Sequence, residues 1–103
     1  MGLIKIALVD EHGNDEAVVT GDTHLLDPIL PHFQSDRFQC LRFIDPFGDT
    51  VFNRLQMQHL THEWDALQRV STDVATQDLL AEVADLIRKG TAEPHTYLKF
   101  IGD

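Results

Sequence analysis

A chain of 103 residues with 43% hydrophobic content and eight large aromatic side chains is able to close one modest core. This excludes a disordered polypeptide and predicts a single compact domain over residues 1–103. Seventeen acidic residues stand against eight basic ones, a formal charge of −9, and the thinly spread lysines and arginines argue against DNA, RNA and anionic membrane surfaces as partners, while a basic protein partner is compatible.

The opening Met-Gly-Leu-Ile-Lys lacks the basic stretch and long apolar segment of a secretory signal. No apolar run approaches the length of a membrane span. A cytoplasmic location is expected. The single cysteine, Cys40, lies in an apolar run and reads as a buried structural thiol of a reducing compartment.

Leu3 to Val9 predicts the first strand. Its apolar residues fall on both faces, as a central strand requires. His12-Gly13-Asn14 predicts a turn, and Ala17 to Thr20 a short returning strand that Gly21-Asp22 ends. Between Thr23 and Phe33, apolar residues recur at helical spacing. Asp22 or Thr23 can cap a start, but Pro31 argues against length, so a short, interrupted helix is expected.

Phe38 to Ile44 alternates as a second strand. Asp45-Pro46-Phe47-Gly48-Asp49-Thr50 has turn chemistry: proline presets φ, glycine tolerates a positive one, and Asp45 accepts local amides. A β-hairpin returning through Thr50 to Phe52 is expected.

Leu55 to Val70 predicts a helix whose stripe is Leu60, Trp64, Leu67 and Val70, with Met57 preceding them at the same spacing. A second helix is expected from a cap at Thr76 to Lys89, with Leu79, Leu80, Val83, Leu86 and Ile87 buried and Gly90 as its stop. His95 to Ile101 predicts a last strand that pairs centrally. The fold class is therefore α+β: a small three- to five-stranded sheet, largely antiparallel or mixed, with a helix hairpin of the C-terminal half packed on one face.

The chemistry-bearing residues form no specific signature. Asp10, Asp45 and Asp49 lie at strand ends and in a turn, where carboxylates that converge could hold a divalent ion, with His12 nearby. The order is not that of an EF-hand. His59, His62 and Glu63 share a broad helix face, but the spacing is not His-Glu-x-x-His, and a solvated face with no bound metal is the expectation. His24 and His32 lie too far apart to add ligands, and the glycines make no phosphate-binding loop.

An acidic helix surface of Asp65, Asp78, Glu82 and Asp85, with Phe47 and Trp64 as aromatic anchors, is the favoured binding surface. The leading functional expectation is a non-catalytic, acidic protein-binding module without a cofactor, for example an immunity protein or antitoxin covering a basic toxin. The alternatives are a small metal-assisted hydrolase using Asp10, Asp45 and Asp49, and a structural protein that forms homodimers or larger assemblies through a sheet edge.

Overall fold

A computed structural model describes residues 2–31 and 33–103. His32 therefore lies outside the described residues. Four strands, β1 (Leu3–Asp10), β2 (Asp15–Val18), β3 (Asp49–Phe52) and β4 (Thr96–Gly102), form one sheet in the order β2-β1-β4-β3. All three pairings are antiparallel. Two helices, α1 (Arg54–Val70) and α2 (Val74–Ala92), pack against each other and cover one face.

The two inner strands are those with the most apolar patterns. β4 alternates strictly: Thr96, Leu98 and Phe100 are buried, whereas Tyr97, Lys99 and Ile101 are half-buried on the opposite face. Its register places Leu98 beside Leu8 and Phe100 beside Ile6, so the inner faces of β1 and β4 form a continuous apolar floor. Phe52 from β3 meets the Phe100 ring edge-on at 5.9 Å between centroids, and Trp64 from α1 meets it at 6.3 Å. Trp64 is 1% exposed and donates its indole N–H to the Leu80 carbonyl at 2.9 Å, which ties α1 to α2 through the core.

Both helices start at side-chain caps. Asn53 and Gln56 form a reciprocal capping box at α1. Asp73, not Thr76, caps α2, by accepting the Thr76 amide at 3.0 Å. Gly90 does not end α2; the helix runs on to Ala92. A side chain at that position would lie 2.6 Å from Met57 Sδ and 2.9 Å from Leu8 Cδ1, so glycine serves close helix–sheet approach. Thr23–Ile29 forms a 3-10 helix that includes Pro28, in accord with the expected interruption. His95, expected to begin the last strand, instead has φ of 63° just before it.

The largest departure is at residues 38–44. No strand forms there; the segment bends and closes in a 3-10 turn at Leu41–Phe43. β3 pairs with β4, placing Asp49 opposite Ile101 and Phe52 opposite Leu98, so the expected hairpin partner is taken. The turn chemistry itself holds: Asp45 Oδ1 accepts the Phe47 amide at 2.9 Å.

Phe100→Ala removes the ring on which Phe52 and Trp64 converge. A loss of about 3–5 kcal/mol is expected, read as a shift of the urea midpoint with little change in slope.

Candidate metal centre

The apolar stripe of α1 places residues 57, 60, 64 and 67 toward the core, and Glu63 falls on the same buried side. A carboxylate there requires partners. It finds them in the backbone of the irregular segment: Oε1 accepts the Cys40 and Leu41 amides at 3.1 and 2.9 Å, and Oε2 accepts those of Gln39 and Cys40 at 2.9 and 3.1 Å. These three amides would have served a strand ladder. One buried carboxylate satisfies them instead, which is why the alternating sequence at 38–44 does not extend.

One turn earlier on the helix, half-exposed His59 reaches the same carboxylate, with Nε2 2.8 Å from Glu63 Oε2. Cys40 is buried beside them, its thiol directed at the Gln56 carbonyl at 3.8 Å. One ligand atom from each of Cys40, His59 and Glu63 lies within 4.8 Å of the other two. Burial pushes the Cys40 thiol above its ordinary range, and the charge of Glu63 adds to the rise. A thiol held protonated is a poor nucleophile. A cation held by Cys40 would reverse that balance, because the metal ligand is the thiolate.

Sulfur, imidazole nitrogen and carboxylate oxygen form a donor set suited to zinc. Metal bonds of roughly 2.0–2.3 Å imply ligand–ligand separations of about 3.3–3.7 Å in a tetrahedron. To share one ion, the 2.8 Å His59–Glu63 contact would open by about half an ångström. His59 is placed to make that adjustment, since its side chain is about half exposed to solvent.

The carboxylates expected to hold a metal do not meet. Asp10 sits opposite Thr96 and Asp49 opposite Ile101, five positions apart on β4, or roughly 16 Å along the strand. Asp10 instead closes its own turn by accepting the His12 and Asn14 amides, and the Asn14 bond contributes most to holding its carboxyl below the ordinary range. Asp45 is committed to Phe47, and Asp49 lies 3.8 Å from Lys99.

The expected binding surface is also dispersed. Trp64 is core and cannot anchor a partner. Glu82 is half-buried and engaged by the chain itself: Oε2 accepts the Thr20 amide and hydroxyl, each at 2.7 Å, and Oε1 accepts the Gly21 amide at 3.0 Å. Asp65 and Asp85 pair with Arg69 and Arg88 on their own helices. Asp78 is exposed, and Phe47 is exposed in a different part of the molecule. The expectation of a purely non-catalytic binding module is overturned by the Cys40–His59–Glu63 cluster, which is able to hold a metal ion.

His59 and Glu63 were visible in the sequence as an i, i+4 pair. The overlooked signal was Glu63 lying three residues after Leu60 and four before Leu67, on the apolar stripe. Cys40 could not be joined to them while it was placed in a strand. Comparison with protein-family models, curated proteins and solved structures finds no match for this chain.

Glu63→Ala in metal-free protein leaves the amides of residues 39–41 without their acceptor; a loss of about 3 kcal/mol is expected. His59→Ala, at the solvent edge, is expected to cost less than about 1 kcal/mol in the same denaturation assay.

At Glu82, burial raises the carboxyl, but the hydrogen bonds from Thr20 and Gly21 outweigh it and hold the group below its ordinary value of 4.5. Its contribution is present above that value and lost as pH falls through the lower folded value. Glu82→Gln is therefore expected to be less stable by about 1 kcal/mol at neutral pH, with the gap to the native sequence closing in acid denaturation below pH 4.5.

Proposed function

We propose that this chain is a metalloprotein in which Cys40, His59 and Glu63 bind one zinc-type ion and leave a fourth position for water, the arrangement of a small metal-assisted hydrolase. The observation that carries this reading is the convergence of three chemically suited ligand atoms within 4.8 Å.

Three features favour a site that remains open. The described residues contribute three donors, as the protein does in hydrolytic zinc centres, whereas structural centres close with four. His59 is the half-exposed member, so the cluster faces solvent on its side. Glu63 is fixed by three backbone amides, which prepays the ordering of one ligand before an ion arrives. A bound ion of this kind supplies Lewis acidity and lowers the pKa of its water toward neutrality. The residues of the chain orient the ion and limit its surroundings.

A thiol-based hydrolase is a weaker reading. A relay needs a histidine whose two nitrogens serve the acid and the nucleophile separately. Here the thiol is raised by burial and by Glu63, opposite to the activation that a nucleophilic cysteine requires.

Cobalt(II) titration of the metal-free chain tests the centre. One equivalent is expected to bind and to produce a near-ultraviolet thiolate-to-cobalt charge-transfer band. Cys40→Ser abolishes that band, and His59→Ala weakens binding by about tenfold or more. The zinc-loaded protein should accelerate cleavage of an activated ester relative to the chelated protein. Absence of stoichiometric metal binding by a folded chain overturns the centre; binding without ester cleavage overturns the hydrolytic assignment.

A further inference from the structure

Three of the six phenylalanines are left largely outside the core, and they gather around one cleft. Phe33, Phe43 and Phe47 are 62%, 57% and 68% exposed and line a cavity of about 600 Å³ between the end of the 3-10 helix and the turn at Asp45. Scattered exposed apolar residues need no explanation, but a cluster of exposed aromatic rings on a concave surface does. None of the three metal-centre residues lines this cleft.

The polar group in the wall is unusual. Arg42 lies with its guanidinium 4.7 Å above the Phe43 ring, and Nη1 donates to the Ser35 carbonyl at 3.2 Å. Its Nε is buried and has no acceptor among the described residues. No described carboxylate forms an ion pair with it. The two aspartates of the wall are occupied elsewhere: Asp27 accepts the Leu3 amide at 3.0 Å and faces His24, and Asp45 accepts the Phe47 amide at 2.9 Å. The cleft thus joins an aromatic surface to a cation that lacks an anion and to a buried donor that lacks an acceptor. A buried donor without an acceptor costs stability.

We propose that this cleft binds a small aromatic carboxylate. The ring system occupies the space among Phe33, Phe43 and Phe47, and the carboxylate takes the Nε edge of Arg42, which is left available because Nη1 is engaged by Ser35. A planar carboxylate matches that edge with two parallel hydrogen bonds. That edge is covered in this structure, so binding requires displacement of a neighbouring group; the exposed Phe43 ring, 4.7 Å from the guanidinium, is the one whose stacking the ligand's ring would replace. The volume falls within the range of small-molecule sites, about 300–1,000 Å³.

The probe pair is 2-naphthylacetate and its neutral amide, 2-naphthylacetamide, titrated into the full chain while the amide resonances of residues 33 and 42–47 are followed by NMR. Saturable shifts confined to those residues are expected, with the carboxylate binding at least about tenfold more tightly than the amide. Arg42→Gln should erase that preference. Phe47→Ala, a change at an exposed rim position, should weaken both probes while leaving the fold intact. The titration is repeated in Cys40→Ser, where an unchanged result separates this cleft from the metal centre. Equal affinity of the two probes, shifts spread away from the cleft, or no saturation overturns the proposal.

Discussion

The Glu63 carboxylate fixes the backbone of residues 39–41, and both candidate sites adjoin that segment. A buried carboxylate is costly unless it is fully hydrogen-bonded. Here its two oxygens take three consecutive backbone amides, so two problems cancel: the charge gains donors, and a segment with no strand neighbour gains an acceptor. The Leu41 carbonyl accepts the Ile44 amide in a 3-10 turn instead of entering a ladder, and Leu41 itself is drawn into the core. The sheet is left free to pair β3 with β4, and Phe52 thereby reaches Phe100.

The regular parts of this fold were legible from periodicity. β1 and β4 have the strongest two-residue alternation or two-sided apolarity, and both are inner strands. The stripes Met57-Leu60-Trp64-Leu67 and Leu79-Leu80-Val83-Leu86-Ile87 became the buried faces of α1 and α2, whereas Val70, expected to continue the first, is exposed at the end of α1. The failure at 38–44 has the opposite cause. Alternation at Phe38, Cys40, Arg42 and Ile44 is a local signal, whereas the strand needs a partner, and which segment supplies one is settled by distant pairings. Gly90 misled for a related reason: punctuation is read from the chain alone, but the need for a missing Cβ came from Met57 and Leu8 on other elements.

The metal cluster was half legible. The helix supplies two of its members at fixed spacing, and any helix over 54–70 brings His59 and Glu63 together. The third member comes from a segment whose path is set by Glu63 itself, so no spacing rule could have supplied Cys40. The aspartates show the converse error. Asp10, Asp45 and Asp49 all occupy turns or strand ends, and those are the positions where a carboxylate best serves its own backbone. Each is explained by local hydrogen bonds or a neighbouring lysine.

The same segment joins the two sites by covalent continuity. Cys40 lies two residues before Arg42, and the amides on either side of Cys40 are fixed by Glu63. The thiol is therefore held on a restrained part of the chain, which favours metal binding because little further ordering is required. Beyond Leu41 that restraint ends: Phe43 is exposed, Asp45 and Thr50 hold only the following turn, and Arg42 keeps an unanswered donor. Rigidity at Cys40 and an unsatisfied group at Arg42 suit different chemistry, coordination of an ion at one end and adjustment to a ligand at the other. A continued β-strand could not have served both, since alternation would have sent Cys40 and Arg42 to one face with their amides locked into a ladder.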